Sequence, residues 1–150
     1  EKLPKGKGKG IALTQMIGKG IVASVVQVAI WKRNKLKIEK VDIVVDFGKI
    51  INPDIVLSQV EGSVVMGISV ALKEEITFHD GRVSQSNYDD YRIARMRDCP
   101  DINVSIIESD EDVRGIDGSL MPILPAITNA IYAASGKRIR KLPIGNQKLV

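Results

Sequence analysis

Cysteine and histidine are nearly absent from this sequence, which has one of each, Cys99 and His79. A single cysteine excludes an internal disulfide framework and a cysteine-rich metal or iron–sulfur site. The histidine lies in a predicted turn, His79-Asp80-Gly81, where we expect neither a metal ligand nor a catalytic base. We therefore assign no metal ligand to these residues.

Aromatic residues and long apolar runs are also scarce. Only 4% of the residues are aromatic against 44% hydrophobic overall, so we expect a core of Val, Ile, Leu and Ala. No apolar run reaches the roughly 18–20 residues of a membrane span, and no nucleic-acid motif accompanies the net charge of +4. We expect no membrane span and no nucleic-acid partner, and interpret the lysine clusters as solvated surface. The alternative is a basic module that binds anionic polymers.

The length of 150 residues fits one domain. The first residue is Glu1 rather than Met, which is typical of a processed product or of a piece of something longer. Residues 1–150 are therefore expected to be a single domain or a fragment.

Dense β-branched residues predict strands separated by polar turns. The expected strands are Ile21–Trp31 and Leu36–Asp46 in one hairpin, Glu75–Phe78 and Arg82–Ser86 in a second, and Ile102–Glu108. The glycine-lysine segment Glu1–Gly10 is expected to contribute little to the fold by itself.

Two helices complete the prediction. Asn52 is a good N-cap, Pro53 suits the first helical position, and this helix should reach about Leu72. A second helix is expected over Pro122–Ser135, ended by Gly136. The predicted class is α+β, with β-hairpins and short strands packed against two main helices.

The first helix contains an amide and two glycines that need an explanation. Gly62 and Gly67 each cost about 1 kcal/mol relative to Ala inside a helix, so we expect another backbone or a ligand to come close to them. A buried stripe is expected at three- and four-residue steps. Its members are Ile55, Val56, Gln59, Val60, Val64, Gly67 and Ala71. By spacing alone, Gln59 is a buried amide with satisfied hydrogen bonds.

Asp117 is the candidate acid. It lies between Gly115 and Gly118, just ahead of the second helix. A carboxylate held by a rigid helix is a plausible active-site group, and a solvated loop carboxylate is the alternative.

Several short strings occur in an informative order. They are Val44-Val45-Asp46-Phe47-Gly48, Ile51-Asn52-Pro53-Asp54, Gln59-Val60-Glu61-Gly62, Gln85-Ser86-Asn87-Tyr88, Pro125-Ala126-Ile127 and Gly136-Lys137-Arg138-Ile139-Arg140. From about Lys7 to Ile144, the chain resembles the C-terminal part of the molybdenum-binding (large, beta) subunit of the xanthine oxidase and aldehyde oxidase family, of the isoquinoline 1-oxidoreductase type. The resemblance implies the C-terminal portion of a molybdopterin-binding domain.

The resemblance also implies a molybdopterin-dependent oxidoreductase that oxidises N-heterocycles or aldehydes. The added hydroxyl comes from water, the hydride passes to molybdenum, and the electrons leave through an iron–sulfur small subunit. The cofactor is usually the cytosine dinucleotide in bacterial relatives. The 150 residues alone should neither retain it nor be active, because the N-terminal remainder of the subunit supplies most of the contacts. A bacterial cytoplasmic or periplasmic location stays open.

By motif position, Gln59 takes the role of the residue that holds the pterin, and Gly62 permits its close approach. The glutamate that serves the family as general base falls on Asp117, while Ile116 and Gly118 replace an expected glycine and proline. Asp is shorter than Glu by one bond, about 1.5 Å. A misplacement of about 1 Å can cost on the order of 10²-fold in rate. The alternative function is therefore a catalytically inactive structural or assembly relative of that subunit.

Overall fold

A four-stranded sheet, a short hairpin and two helices make up the fold. The computed structural model describes residues 3–15, 18, 20–31 and 34–150. Its elements are β1 (Lys7–Gln15), β2 (Ile21–Trp31), β3 (Lys35–Asp46), α1 (Pro53–Leu72), β4 (Phe78–His79), β5 (Arg82–Val83), β6 (Asp101–Ile106) and α2 (Ile123–Ser135). Short 3-10 turns cover Met96–Asp98 and Asp117–Leu120. The α+β class is confirmed.

The main sheet has the spatial order β1-β2-β3-β6 and is mixed in direction. β1 and β3 both run antiparallel to β2, which confirms the first predicted hairpin. β6 returns parallel to β3, with Val41 opposite Ile102, after the crossover that contains α1. The second hairpin is confirmed around Asp80 and Gly81, although only two residues on each side pair.

β1 corrects the prediction for Glu1–Gly10, because a strand already begins at Lys7. The glycine-lysine alternation gives this strand two different faces, since successive side chains point to opposite sides. A Cβ atom at Gly8 would lie 2.3 Å from the carbonyl oxygen of Ala130, and one at Gly10 would lie 2.2 Å from that of Ala126. The glycines therefore allow α2 to pack directly on the strand backbone, and residues 7–10 are part of the sheet rather than a lead-in to it.

α1 begins and ends where the sequence predicts. The Asn52 side-chain oxygen accepts a hydrogen bond from the N–H of Ile55 at 3.2 Å, which caps the first turn. The buried residues are Val56, Val60, Val64, Gly67, Ile68, Ser69 and Ala71. Ile55 is 57% exposed and Gln59 is exposed, so their predicted place on the buried stripe was wrong. They precede Val56 and Val60 by one residue, about 100° around the helix, and so face outward.

α1 is also long and apolar enough to cross a membrane, with a mean hydropathy of 1.7, and 39% of its most apolar stretch is buried. The expectation of no span considered only uninterrupted apolar runs, and Asp54 and Glu61 interrupt this one. Core helices of soluble proteins have the same length and composition, so the finding is weak evidence for a span.

The core lies between the sheet and the two helices. It consists mainly of Val, Ile and Ala, as the composition predicts, with Phe47 as its largest buried side chain. One buried polar group fixes α2 to the sheet: the Ser24 hydroxyl donates to the carbonyl oxygen of Pro122 at 3.1 Å. Gly136, with φ of 76°, ends α2 as predicted.

Candidate functional site

The loop ahead of Asp117 is held by backbone hydrogen bonds to two other loops. The N–H of Arg114 donates to the carbonyl of Phe47 at 2.8 Å, and the N–H of Lys49 donates to Glu111 at 2.9 Å. The N–H of Gly20 donates to the carbonyl of Gly115 at 3.0 Å. The connections β1–β2 and β3–α1 therefore position the loop.

Close packing and charge reinforce this junction. Gly48 has φ of 70°, and a Cβ atom there would lie 2.1 Å from the carbonyl oxygen of Asp112. The Arg114 guanidinium lies 3.8 Å from the Asp46 carboxylate and 3.5 Å from that of Glu111. The other Asp46 oxygen accepts the N–H of Gly48 at 3.0 Å. The string Asp46-Phe47-Gly48 thus holds the loop that leads to Asp117.

Asp117 is exposed and begins the 3-10 turn Asp117–Leu120. In this turn the buried Ser119 hydroxyl donates to the carbonyl of Ile116 at 2.7 Å. A Cβ atom at Gly67 would lie 2.9 Å from the Ile123 side chain and 3.1 Å from Leu120. The close approach at Gly67 is therefore made by side chains, and not by the backbone or ligand that was expected. Through Leu120 it packs the Asp117 turn onto α1.

Gln59 and Gly62 lie on the outer side of α1, where both are exposed. A Cβ atom at Gly62 would meet no atom within 4 Å. Within the described ranges, no segment of the chain comes close to Gly62, so its expected approach to a backbone or ligand stays a prediction. Gln59 is exposed, so the prediction of a buried amide was wrong.

An apolar cleft of about 270 Å³ separates the N-terminal end of α1 from the loop ahead of Asp117. It is lined by Phe47, Lys49, Ile50, Ile51, Asn52, Ile55, Val56, Val113, Arg114 and Ile116. Ile116 immediately precedes Asp117, and Ile55 lies one helical turn before Gln59. Residues near Gln59 and Asp117 along the chain therefore line one cleft, although neither site residue lines it.

The cleft itself was not predicted from the sequence. Its apolar walls come from two separate parts of the chain, residues 47–56 and 113–116, and among them Ile51 and Val113 are 84% and 62% exposed. The neighbouring groove of about 480 Å³ is more polar, with Glu108 and Asp110 on its wall. The string Ile51-Asn52-Pro53 was the available sequence signal for this region. It was interpreted only as the start of a helix, so the place of Ile51 and Asn52 in the cleft wall was missed.

The described residues contain no cluster of three or more His, Cys, Asp or Glu side chains that could hold a metal ion. His79 is exposed on the second hairpin with its Nδ1 atom 3.1 Å from the Asp80 carboxylate. Cys99 is also exposed.

The sequence matches the model of a known protein family. The model described as "Molybdopterin cofactor-binding domain" matches residues 3–100. The chain belongs to this family. The matched region includes Gln59 and Gly62 and ends before Asp117.

Curated relatives support the same assignment. The chain is 38% identical over 112 residues to the beta subunit of isoquinoline 1-oxidoreductase from Brevundimonas diminuta, a match that covers 74% of this chain and 14% of the relative. It is 29% identical over 153 residues to a subunit of nicotinate dehydrogenase from Pseudomonas putida, covering 95% of this chain and 13% of that protein. These matches confirm the resemblance to molybdenum-binding subunits. The chain spans about one seventh of the length of these relatives.

Solved structures confirm the fold. Quinoline 2-oxidoreductase from Pseudomonas putida 86 superposes with a TM-score of 0.79 over 87% of this chain and 18% of that chain. At 23% identity this likeness concerns the fold alone.

Proposed function

We propose that this chain is part of the catalytic subunit of a molybdenum hydroxylase that oxidises N-heterocycles or aldehydes. One observation carries the proposal. Ile55 stands one helical turn before Gln59 and Ile116 directly precedes Asp117, and both line one cleft between α1 and the loop ahead of Asp117. The proposal is that a ligand bound at this cleft contacts both Gln59 and Asp117.

The outer side of α1 fits one wall of a pterin site. The exposed Gln59 carboxamide offers two donor hydrogens and an acceptor oxygen, which suits the heterocyclic edge of a pterin. The open space at Gly62 lets a flat ligand approach the helix backbone. We propose that the cofactor is molybdenum-bound molybdopterin in its cytosine dinucleotide form. When bound, it would supply the two-electron redox chemistry.

Asp117 would serve as the general base that accepts a proton from the attacking hydroxyl group. The proposal is supported by the way its loop is fixed, since a base must be held within hydrogen-bonding reach of the proton that it removes. Backbone bonds from Arg114 and Gly20 hold the preceding loop, and Gly67 receives the following turn. The shorter Asp side chain limits this reach.

The remaining parts of the proposal follow from the length of the relatives. Because 1–150 corresponds to about one seventh of them, we propose that it is a single domain or a fragment within a longer catalytic unit. Its partners would be the N-terminal remainder of the molybdenum-binding subunit and an iron–sulfur small subunit. The isolated residues would neither retain the cofactor nor turn over, because they supply one wall of its site.

The cofactor role of Gln59 is tested by Gln59→Ala in the assembled enzyme. We expect less molybdenum and less molybdopterin per subunit, measured by elemental analysis and by the fluorescence of the oxidised pterin. The matched control is Gln15→Ala, another exposed glutamine, which lies on β1. Equal cofactor content in the two variants would show that Gln59 does not hold the pterin.

The role of Asp117 is tested by Asp117→Asn and Asp117→Glu in the same enzyme. Dye-linked oxidation of an N-heterocycle or an aldehyde should fall to background with Asn. With Glu it should rise by on the order of 10²-fold, because the carboxylate regains about 1 Å of reach. Cofactor content should stay constant in both.

The same assay separates the second candidate, an inactive structural or assembly relative. This candidate is favoured by Ile116 and Gly118, which replace the glycine and proline expected beside the acid. It predicts a subunit that holds molybdenum but responds to neither substitution at Asp117. If no version of the enzyme holds molybdenum, the hydroxylase proposal is wrong.

A further inference from the structure

Asp46 is the last residue of β3, a strand that has neighbours on both sides. β3 is paired along its length with β2 and, from Lys40 to Val45, with β6. Asp46 itself lies opposite Ile21, the first residue of β2. Core strands of this kind open only at a high cost in free energy. The Asp46 carboxylate is therefore attached to a rigid part of the sheet.

This carboxylate contacts two different loops. One oxygen accepts the N–H of Gly48 at 3.0 Å, in the connection to α1. The other lies 3.8 Å from the guanidinium of Arg114, which stands three residues before Asp117. The Asp46 and Arg114 side chains are only 23% and 28% exposed. Water and salt therefore screen this ion pair less than they would a pair on the surface.

Arg114 has a second partner that cannot replace Asp46. The Glu111 carboxylate lies 3.5 Å from the guanidinium, but Glu111 belongs to the same loop and is 68% exposed. Within the described part of the chain, the pair of Arg114 and Asp46 is the one side-chain ion pair that joins residues 107–116 to the sheet. The other links printed by the structure for this loop are backbone hydrogen bonds to Phe47, Lys49, Gly20 and Gly18. A substitution at Asp46 can therefore loosen the loop without removing those bonds.

We propose that Asp46 is a positioning residue for the reaction. Through Arg114 it fixes the loop that carries Asp117, and so keeps that carboxylate in reach of the proton that it removes. Asp46 does not line the cleft, so it acts without contact to the substrate. The inference rests on the proposed function, in which Asp117 is the general base.

The expected effect follows from the short distance along the chain. Only Gly115 and Ile116 separate Arg114 from Asp117, so a shift of Arg114 is passed on almost directly to the base. A base must lie within hydrogen-bonding reach of its proton, and a misplacement of about 1 Å can cost on the order of 10²-fold in rate. Because the backbone bonds of the loop remain, we expect a loss of roughly 10- to 100-fold in kcat.

The test is Asp46→Asn in the assembled enzyme. The amide oxygen of Asn can still accept the N–H of Gly48, whereas the charge that attracts Arg114 is lost. In dye-linked oxidation, kcat should fall by roughly 10- to 100-fold, while KM and the molybdenum content stay the same. The matched control is Asp42→Asn on the same strand, where the carboxylate pairs with Lys40 at 2.7 Å. This variant should keep the parent kcat.

Two further variants separate positioning from a general effect of charge. Arg114→Gln removes the other partner, and combining it with Asp46→Asn should be no slower than Arg114→Gln alone, because both act through one contact. Glu111→Gln removes a negative charge beside the same guanidinium without removing a link to the sheet. It should lower kcat less than Asp46→Asn does. Additive losses in the double variant would overturn the proposal, as would equal losses from Glu111→Gln and Asp46→Asn.

Amide hydrogen exchange gives a readout that does not depend on turnover. In Asp46→Asn, the N–H groups of Arg114 and Gly20, which are bonded to the carbonyls of Phe47 and Gly115, should exchange at least roughly tenfold faster. The N–H groups of α2 should exchange at the parent rate. Unchanged exchange at Arg114 would show that the loop does not depend on the ion pair, and would overturn the proposal.

Failure of the proposed function has a different signature. If the parent enzyme does not turn over, or if Asp117→Asn leaves its kcat unchanged, Asp117 is not the base and both proposals fail. If Asp117→Asn abolishes turnover while Asp46→Asn keeps the parent kcat, the role of Asp117 is retained and the positioning role of Asp46 alone fails.

Discussion

Gly10→Ala provides the most direct test of the packing between β1 and α2. The new methyl carbon would lie 2.2 Å from the carbonyl oxygen of Ala126, 2.2 Å from the N atom of Ala130 and 2.8 Å from the carbonyl carbon of Asn129. All three are backbone atoms of α2, so no flexible side chain can move aside. The helix or the strand must shift by about 1 Å to restore ordinary van der Waals contact.

The expected cost combines two opposing effects. Overpacking a tightly packed region typically costs about 1–3 kcal/mol. Replacing Gly by Ala within a regular element returns about 0.5–1 kcal/mol through backbone entropy. Because the clash involves backbone on both sides, we expect the upper part of the range and a net loss of about 2 kcal/mol in the free energy of unfolding.

The measurement is urea unfolding of the 150-residue chain, followed by circular dichroism. Gly62→Ala is the matched control, because the same methyl group there meets nothing within 4 Å. We expect this variant to gain up to about 1 kcal/mol from helix propensity. The two identical substitutions should therefore shift the midpoint in opposite directions. A Gly10→Ala protein as stable as its parent would show that α2 does not rest on the backbone of β1.

Three further outcomes are expected from the same unfolding measurements. Asn52→Ala removes the side-chain cap of α1 and should cost about 1 kcal/mol, whereas Asn52→Asp should retain most of the stability. Ser24→Ala removes the buried hydrogen bond to Pro122 and should cost about 1–2 kcal/mol, and no change would show that this bond contributes nothing. The Lys73 ammonium group donates a hydrogen bond to Asp98 and lowers the pKa of that carboxyl. The stabilisation of the folded state by this pair is therefore fully present above the unfolded pKa of about 3.9. It disappears as the pH falls through the lower folded pKa. Asp98→Asn should lose about 1 kcal/mol at neutral pH and show a shallower loss of stability in acid, and an unchanged acid profile would contradict the pairing.

The candidate site was only partly predictable from the sequence. The cap at Asn52 and the positions of Gln59 and Gly62 on α1 follow from local signals, since capping and helical spacing depend on neighbouring residues. The exposure of Gln59 could not be predicted in this way. Ile55 and Val56 are equally apolar, so either of them could have been the first residue of the buried stripe. The contacts with the sheet and with α2 decided between them.

Local sequence signals were enough to predict the hairpin of β2 and β3, both helices with their ends, and the short second hairpin. The short strings, which occur in a fixed order along the chain, also predicted the family to which it belongs. The place of Gly8 and Gly10 in a strand became clear from the three-dimensional packing. Backbone atoms of α2 lie 2–3 Å from where a Cβ atom would be at either residue, so only glycine fits there. The tertiary structure also brought the loop before Asp117 against the connections at Gly20 and Phe47. Such contacts join residues far apart along the chain, and their partners are chosen by packing rather than by local propensity.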